Sequence, residues 1–187
     1  MTSQPSRQEV LRWKPFVFNE QVYEQRYDLS HLDAHWVEYQ DNREGREANS
    51  YKFKVTYGSH CFTKEDPDLS EAESSLWIYK APKEDRHFNI ARYNLSKQLP
   101  SIIHSLGETE TLVFFAGYGN FATVKVIDFE GVKTDYFVVF RVFRENRVFR
   151  LHVESAYPRK RGKVKKESFF AIAFNLLKNK SLPEPPK

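Results

Sequence analysis

The chain has 187 residues, 40% hydrophobic and 16% aromatic, which is enough apolar material for a folded core and excludes a wholly disordered chain. It carries a net charge of +4, a single cysteine (Cys61) and no run of about 20 apolar residues. These features exclude an internal disulfide framework, a multi-cysteine metal site and an ordinary membrane-spanning helix, so the expected setting is the cytoplasm, without membrane, metal or other cofactor.

In chain order, residues 1–49 read as an N-terminal arm and accessory segment. Trp13–Asn19 (WKPFVFN) is a short extended piece, because Pro15 blocks a helix. His35–Gln40 alternates and reads as a strand. His31 and His35 have the spacing of zinc ligands on a helix, but the strand pattern and the lack of a third ligand exclude a metal.

The core domain is placed at 50–180. In Ser50–Gly58, Tyr51, Phe53, Val55 and Tyr57 share one face of a half-buried strand. Ser59–Asp85 contains Pro67, Pro82 and the acidic block Glu65–Glu73, and reads as a long loop with a short strand or turn near Leu76–Tyr79. Phe88–Leu106 has helical spacing, with a kink or a break into two pieces at Pro100 and a stop at Gly107. Four strands follow at Thr111–Ala116, Asn120–Ile127, Asp135–Arg144 and Arg147–Ser155. Lys166–Lys178 forms an amphipathic helix with Phe169, Phe170, Ala173, Phe174 and Leu177 inward. Residues 181–187 are a disordered tail. The fold class expected is α+β: a helix followed by a twisted antiparallel sheet of about four to five strands, with a C-terminal helix.

A Glu145-Asn146 turn opposes Arg141 with Arg150, Val139 with His152 and Phe137 with Glu154. One face then holds Tyr136, Val138, Phe140, Val142, Phe149, Leu151, Val153 and Ser155, which is core. The other holds Phe137, Val139, Arg141, Phe143, Arg150, His152 and Glu154. Aligning Val124 with Val138 adds Lys125 to this second, polar face. Metal-independent RNA cleavage needs a base, an acid and fixed positive charge around phosphate. His152 or Glu154 fits the first two roles, and Arg141, Arg150 and Lys125 fit the third. The opposing reading is a solvated face of cross-strand ion pairs.

Other candidates flank this face. His60 and Cys61 sit at a strand end, but neighbours on extended chain point apart, so Cys61 reads as a small buried residue. Arg92, on the first turns of the main helix, can reach the sheet. The block Pro158–Lys166 (PRKRGKVKK) has six basic residues and no acid; with Tyr157 it places Arg159, Lys160, Arg161 and Lys163 for nucleic-acid contact, or forms a solvated loop.

The ordered blocks HCFT (60–63), R-H-F-x-x-x-R-Y-x-L-S-x-x-L-P-x-I-I (86–103), G-N-F-x-x-V-x-V (119–126), Y-F-V-V-F (136–140) and L-x-V-E-S-A-Y-P-R (151–159) resemble small bacterial proteins described as heat-shock protein C-like or stationary-phase growth adaptation proteins. The helix–sheet order and the S-A-Y-P strand end are also remotely similar to the barnase–EndoU–colicin–RelE nuclease superfamily. That resemblance implies a metal-independent RNase of toxin or mobile-element type, with His60, Arg92, Arg141, His152, Ser155 and Tyr157 as candidates. The function expected is therefore an RNA-cleaving, toxin-like or stress-linked protein acting on tRNA or mRNA, with a protein inhibitor or other protein as a second kind of partner. The alternative is a non-catalytic RNA- or protein-binding module.

Overall fold

Alternation in the first clean strand leads to the architecture. A computed structural model describes residues 9–20 and 23–183. The first strands are β1 (Phe16–Glu20), β2 (Tyr23–Tyr27), β3 (His35–Asp41), β4 (Asn49–Tyr57) and β5 (Thr63–Lys64). Then come α1 (Glu71–Trp77), β6 (Ile78–Lys80), β7 (Asp85–Phe88), α2 (Ile90–Ser96) and α3 (Leu99–His104). The chain continues with β8 (Val113–Gly117), β9 (Asn120–Phe129), β10 (Val132–Glu145), β11 (Val148–Pro158), β12 (Lys166–Glu167) and α4 (Phe169–Leu177).

Seven strands form one mixed sheet in the order β12-β8-β9-β10-β11-β4-β3. Its pairings are antiparallel except β11–β4, which is parallel. A β1–β2 hairpin and a small β5-β7-β6 sheet lie outside it. This corrects the expected antiparallel sheet of four to five strands following a helix. Strands β3 and β4 precede the helices in sequence and enter the sheet beside β11 through distant pairing, which local periodicity cannot register.

The helix ends have local causes. Ser70 and Glu73 form a capping box at α1, the Ser-x-x-Glu signature inside what reads as an acidic loop. Asn89 caps α2 by accepting the Arg92 N–H at 2.9 Å. Pro100 stands in the first turn of α3, where its missing N–H costs nothing, so the Phe88–Leu106 pattern becomes two helices. Phe88 itself ends β7. Ser168 caps α4, accepting the Ala171 N–H.

One face of the large sheet carries the core. Tyr51, Phe53, Val55, Tyr136, Val138, Phe140, Leu151 and Val153 are all but inaccessible to solvent. Each buried apolar side chain of this size contributes about 1.5–3 kcal/mol. Helix α4 packs here, with Phe169 4.6 Å from Tyr39 and 5.9 Å from Phe53 between ring centroids. The Tyr39 hydroxyl donates to the Ile103 carbonyl at 2.6 Å, tying α3 to β3. Trp13, Phe16, Leu29 and Leu32 join the same cluster.

Two register details reposition the polar face. The β10–β11 turn is Asn146-Arg147, both at positive φ, so Arg141 opposes His152 and Phe143 opposes Arg150. The expected Glu145-Asn146 turn is displaced by one residue. Because every pair shifts by two positions, the two faces keep their membership up to Val153. There a bulge leaves Glu154 as an extra residue between the Phe140–Val153 and Val139–Ser155 pairs. Beyond it Ala156 replaces Ser155 in the core, and Ser155 and Tyr157 face Val139 and Phe137. On β9 the register slips by one residue from the expected alignment: Val124 opposes Phe137, and Lys125 opposes Tyr136. Lys125 therefore lies on the helix-bearing side, near Lys97, His104 and Glu108, and is not part of the polar face.

Beyond Pro158 the chain crosses from β11 to β12 at the far edge, passing β10, β9 and β8. This crossover is the basic block. The Arg159 N–H donates to the Asp135 carbonyl and the Arg161 N–H to Asp135 Oδ2, each at 3.0 Å.

Candidate functional site

Strand alternation and the bulge bring Arg141, Arg150, His152 and Glu154 together as one connected group. Arg141 Nε lies 2.8 Å from Glu154 Oε1, approaching off the N–H axis, so this is an ion pair rather than a hydrogen bond. Thr56, opposite His152 across the parallel β4–β11 pair, places Oγ1 2.9 Å from His152 Nδ1. His152 Nε2 is 3.9 Å from Glu154 Oε2.

The group is not an open face. Glu9, on the segment leading to Trp13, is paired with Arg150 and lies 3.8 Å from His152 Nδ1. Arg150 also donates to Glu145 at 2.9 Å. The Arg150, His152 and Glu9 side chains are 13%, 12% and 8% exposed. Both arginines expected to clamp phosphate are thus engaged by the protein's own carboxylates.

A cleft of about 150 Å³ opens at the end of β4, beside the middle of β11. Glu9, Val10 and Trp13 form one wall, Tyr57–His60 another, and the Ala81–Glu84 loop a third, with His152 and Glu154 beside them. His60 Nε2 is 2.7 Å from Glu84 Oε1. That hydrogen bond, with the Arg86 charge behind it, holds the Glu84 carboxyl below the usual carboxylate range. His60, His152 and Glu154 therefore line one cleft. Glu9, Trp13, Thr56 and Glu84 are missing from the sequence-derived set. Glu84 had a signal, since it adjoins the Asp85-Arg86-His87 run; Glu9 sits in a polar arm with no pattern.

Arg92 is occupied structurally. It donates to the His60 and Thr63 carbonyls at 3.0 and 2.8 Å and lies 5.8 Å from the Tyr157 ring. Burial lowers its pKa. Tyr157 and Phe137 lie side by side, 6.4 Å apart and 11° from parallel, with the Arg159 guanidinium 5.7 Å over Phe137. Guanidinium groups thus cover both rings. Cys61 is fully buried, its thiol pushed up to about 12 by desolvation, which suits a packing role. Arg159, Lys160, Arg161 and Lys163 are exposed on the crossover.

Fold and site together define a sheet-dominated protein with four short α-helices among the described residues, a carboxylate–histidine cleft and a basic crossover. No helix among the described residues is long and apolar enough to cross a membrane. The chain belongs to the YjaZ family, which matches residues 16–177. It is 45% identical over 183 residues to Protein YjaZ of Escherichia coli strain K12, covering 97% of this chain and 99% of that protein. No solved structure matches the chain. The family match corrects the resemblance to heat-shock protein C-like or stationary-phase growth adaptation proteins, and the nuclease-superfamily likeness with it: the blocks quoted for both fall within the residues that the YjaZ family matches.

Proposed function

We propose that the protein is a non-catalytic RNA-binding module whose contact surface is the basic crossover between β11 and β12. The observation that carries this reading is an exposed row of Arg159, Lys160, Arg161 and Lys163 on a segment pinned at Asp135. None of the four is in an ion pair among the described residues, whereas Arg141 and Arg150 are neutralised internally. Four such cations meeting single-stranded phosphates give a log–log salt slope of about −3, or about fifty-fold weaker binding between about 50 and 200 mM salt.

Fluorescence anisotropy with a labelled single-stranded RNA, in metal-free buffer, tests this. The triple variant Lys160→Gln, Arg161→Gln, Lys163→Gln should flatten the slope by about 2. No binding at low salt, or a slope unchanged in the variant, overturns the proposal. Cleavage is favoured by a different observation, the two histidines lining one cleft. Products ending in cyclic phosphate, lost in both His60→Ala and His152→Ala, would replace the binding reading with the cleavage one.

A further inference from the structure

We infer that a single RNA strand on the crossover continues into a second set of phosphate contacts, in the groove between the α2–α3 junction and β9. This rests on the RNA-binding reading and extends its surface to the helix-bearing side of the sheet. The groove measures about 690 Å³, room for a nucleotide-sized group. Pro100 breaks the helical run, so Lys97 and Gln98 stand where α2 passes into α3. The one-residue slip of β9 turns Lys125 toward the same space. Lys97, His104 and Lys125 all line the groove and are exposed, and none is in an ion pair among the described residues. Lys97 Nζ meets neutral groups, the Tyr93 ring at 4.4 Å and Asn94 Oδ1 at 3.4 Å, so its charge is left for an anion. Gln98 and Ser101 add neutral donors. Glu108 is the one carboxylate in the lining.

A second observation joins the groove to the crossover. Lys166, where the crossover ends in β12, donates from Nζ to the Thr109 carbonyl at 2.7 Å. Thr109 follows Glu108 in the chain, so the basic segment ends at the rim of the groove and sets a cation beside its carboxylate. The two surfaces lie on opposite sides of the sheet: Arg159 covers Phe137 on the polar face, whereas Lys125 is on the helix-bearing side. A double helix, with a persistence length of about 50 nm, does not bend round such an edge. A flexible single strand does, held by a cationic track along its backbone. With Lys97 and Lys125 added to the four crossover cations, the log–log salt slope for a strand that spans both surfaces becomes about −4, in place of the about −3 that the crossover gives alone.

Fluorescence anisotropy on the full chain, with a labelled unstructured RNA of roughly 15 nucleotides, tests the inference. The double variant Lys97→Gln, Lys125→Gln should flatten the slope by about 1.4, so the loss of affinity between about 50 and 200 mM salt becomes roughly sevenfold smaller. Lys178→Gln, Lys180→Gln removes the same charge elsewhere: these lysines flank Asn179, which accepts from Arg144 at the other end of β10. That control should leave the slope unchanged, and the complex should hold one strand per chain. A slope that flattens in the crossover triple variant but not in the Lys97, Lys125 variant overturns this inference and leaves the RNA-binding reading standing. Equal flattening in the control, or two strands per chain, also overturns it. No binding by the native chain overturns the reading and this inference together.

Discussion

Replacing Arg150 with Met tests whether the segment around Glu9 is held to the sheet by charge. The substitution keeps the length of the stem and removes the guanidinium. Glu145, 37% exposed, can turn to water, but the Glu9 carboxylate, 8% exposed, is left buried beside His152 without its cation. Breaking one side of a buried ion pair costs about 3–5 kcal/mol. For a chain of this size, a loss of about 3 kcal/mol lowers the melting midpoint by roughly 6–12 °C. Glu9→Gln leaves Arg150 with Glu145 and costs about 1–2 kcal/mol. In the double variant both charges leave together, and the total should stay near about 1–2 kcal/mol. Urea denaturation of the four proteins then gives a favourable coupling of about 3–5 kcal/mol. Additive losses, or a loss below about 0.5 kcal/mol in Arg150→Met, would refute the reasoning.

Arg147 sits at φ 66° in the β10–β11 turn, so Arg147→Gly should raise stability by about 1 kcal/mol in thermal or urea unfolding; a net loss would show that its side chain stabilises the turn. His31 is half-buried, with Nε2 2.8 Å from Ser96 Oγ, and burial lowers its pKa below the ordinary histidine value. The unfolded chain then takes up the proton more readily, so this residue's contribution is fully present above about pH 6.5 and falls as pH drops below that value. Unfolding free energies at about pH 7.5 and 5 should differ more in the native chain than in His31→Gln, and equal differences would refute it.

Much of the local structure was written in side-chain order. Tyr51, Phe53, Val55 and Tyr57 announce β4, and the Phe169–Leu177 stripe announces α4. The β10 core face of Tyr136, Val138, Phe140 and Val142 was equally legible. What escaped was relational. Val124 and Val126 suggested one β9 register and Thr123 opposite Val138 won, because Phe121 and Thr123 fill the core while Lys125 reaches solvent from the same side. The bulge at Glu154 had no signature, yet it decides where Ser155 and Tyr157 point. Of the site, His60, His152 and Glu154 were accessible by alternation and strand-end position. Glu9 was not, since nothing in a polar arm reveals which distant arginine it will meet.

The parallel β4–β11 seam joins positions 96 residues apart, as Thr56 and His152 show. At roughly 5–20 residues per second, a ribosome needs roughly 5–20 seconds to make the second half of that seam after the first. During synthesis, Tyr51, Phe53, Val55 and Tyr57 wait as an apolar strand with one neighbour absent. Until its partner emerges, β4 presents an unpaired strand edge, the kind of surface that invites pairing with other chains.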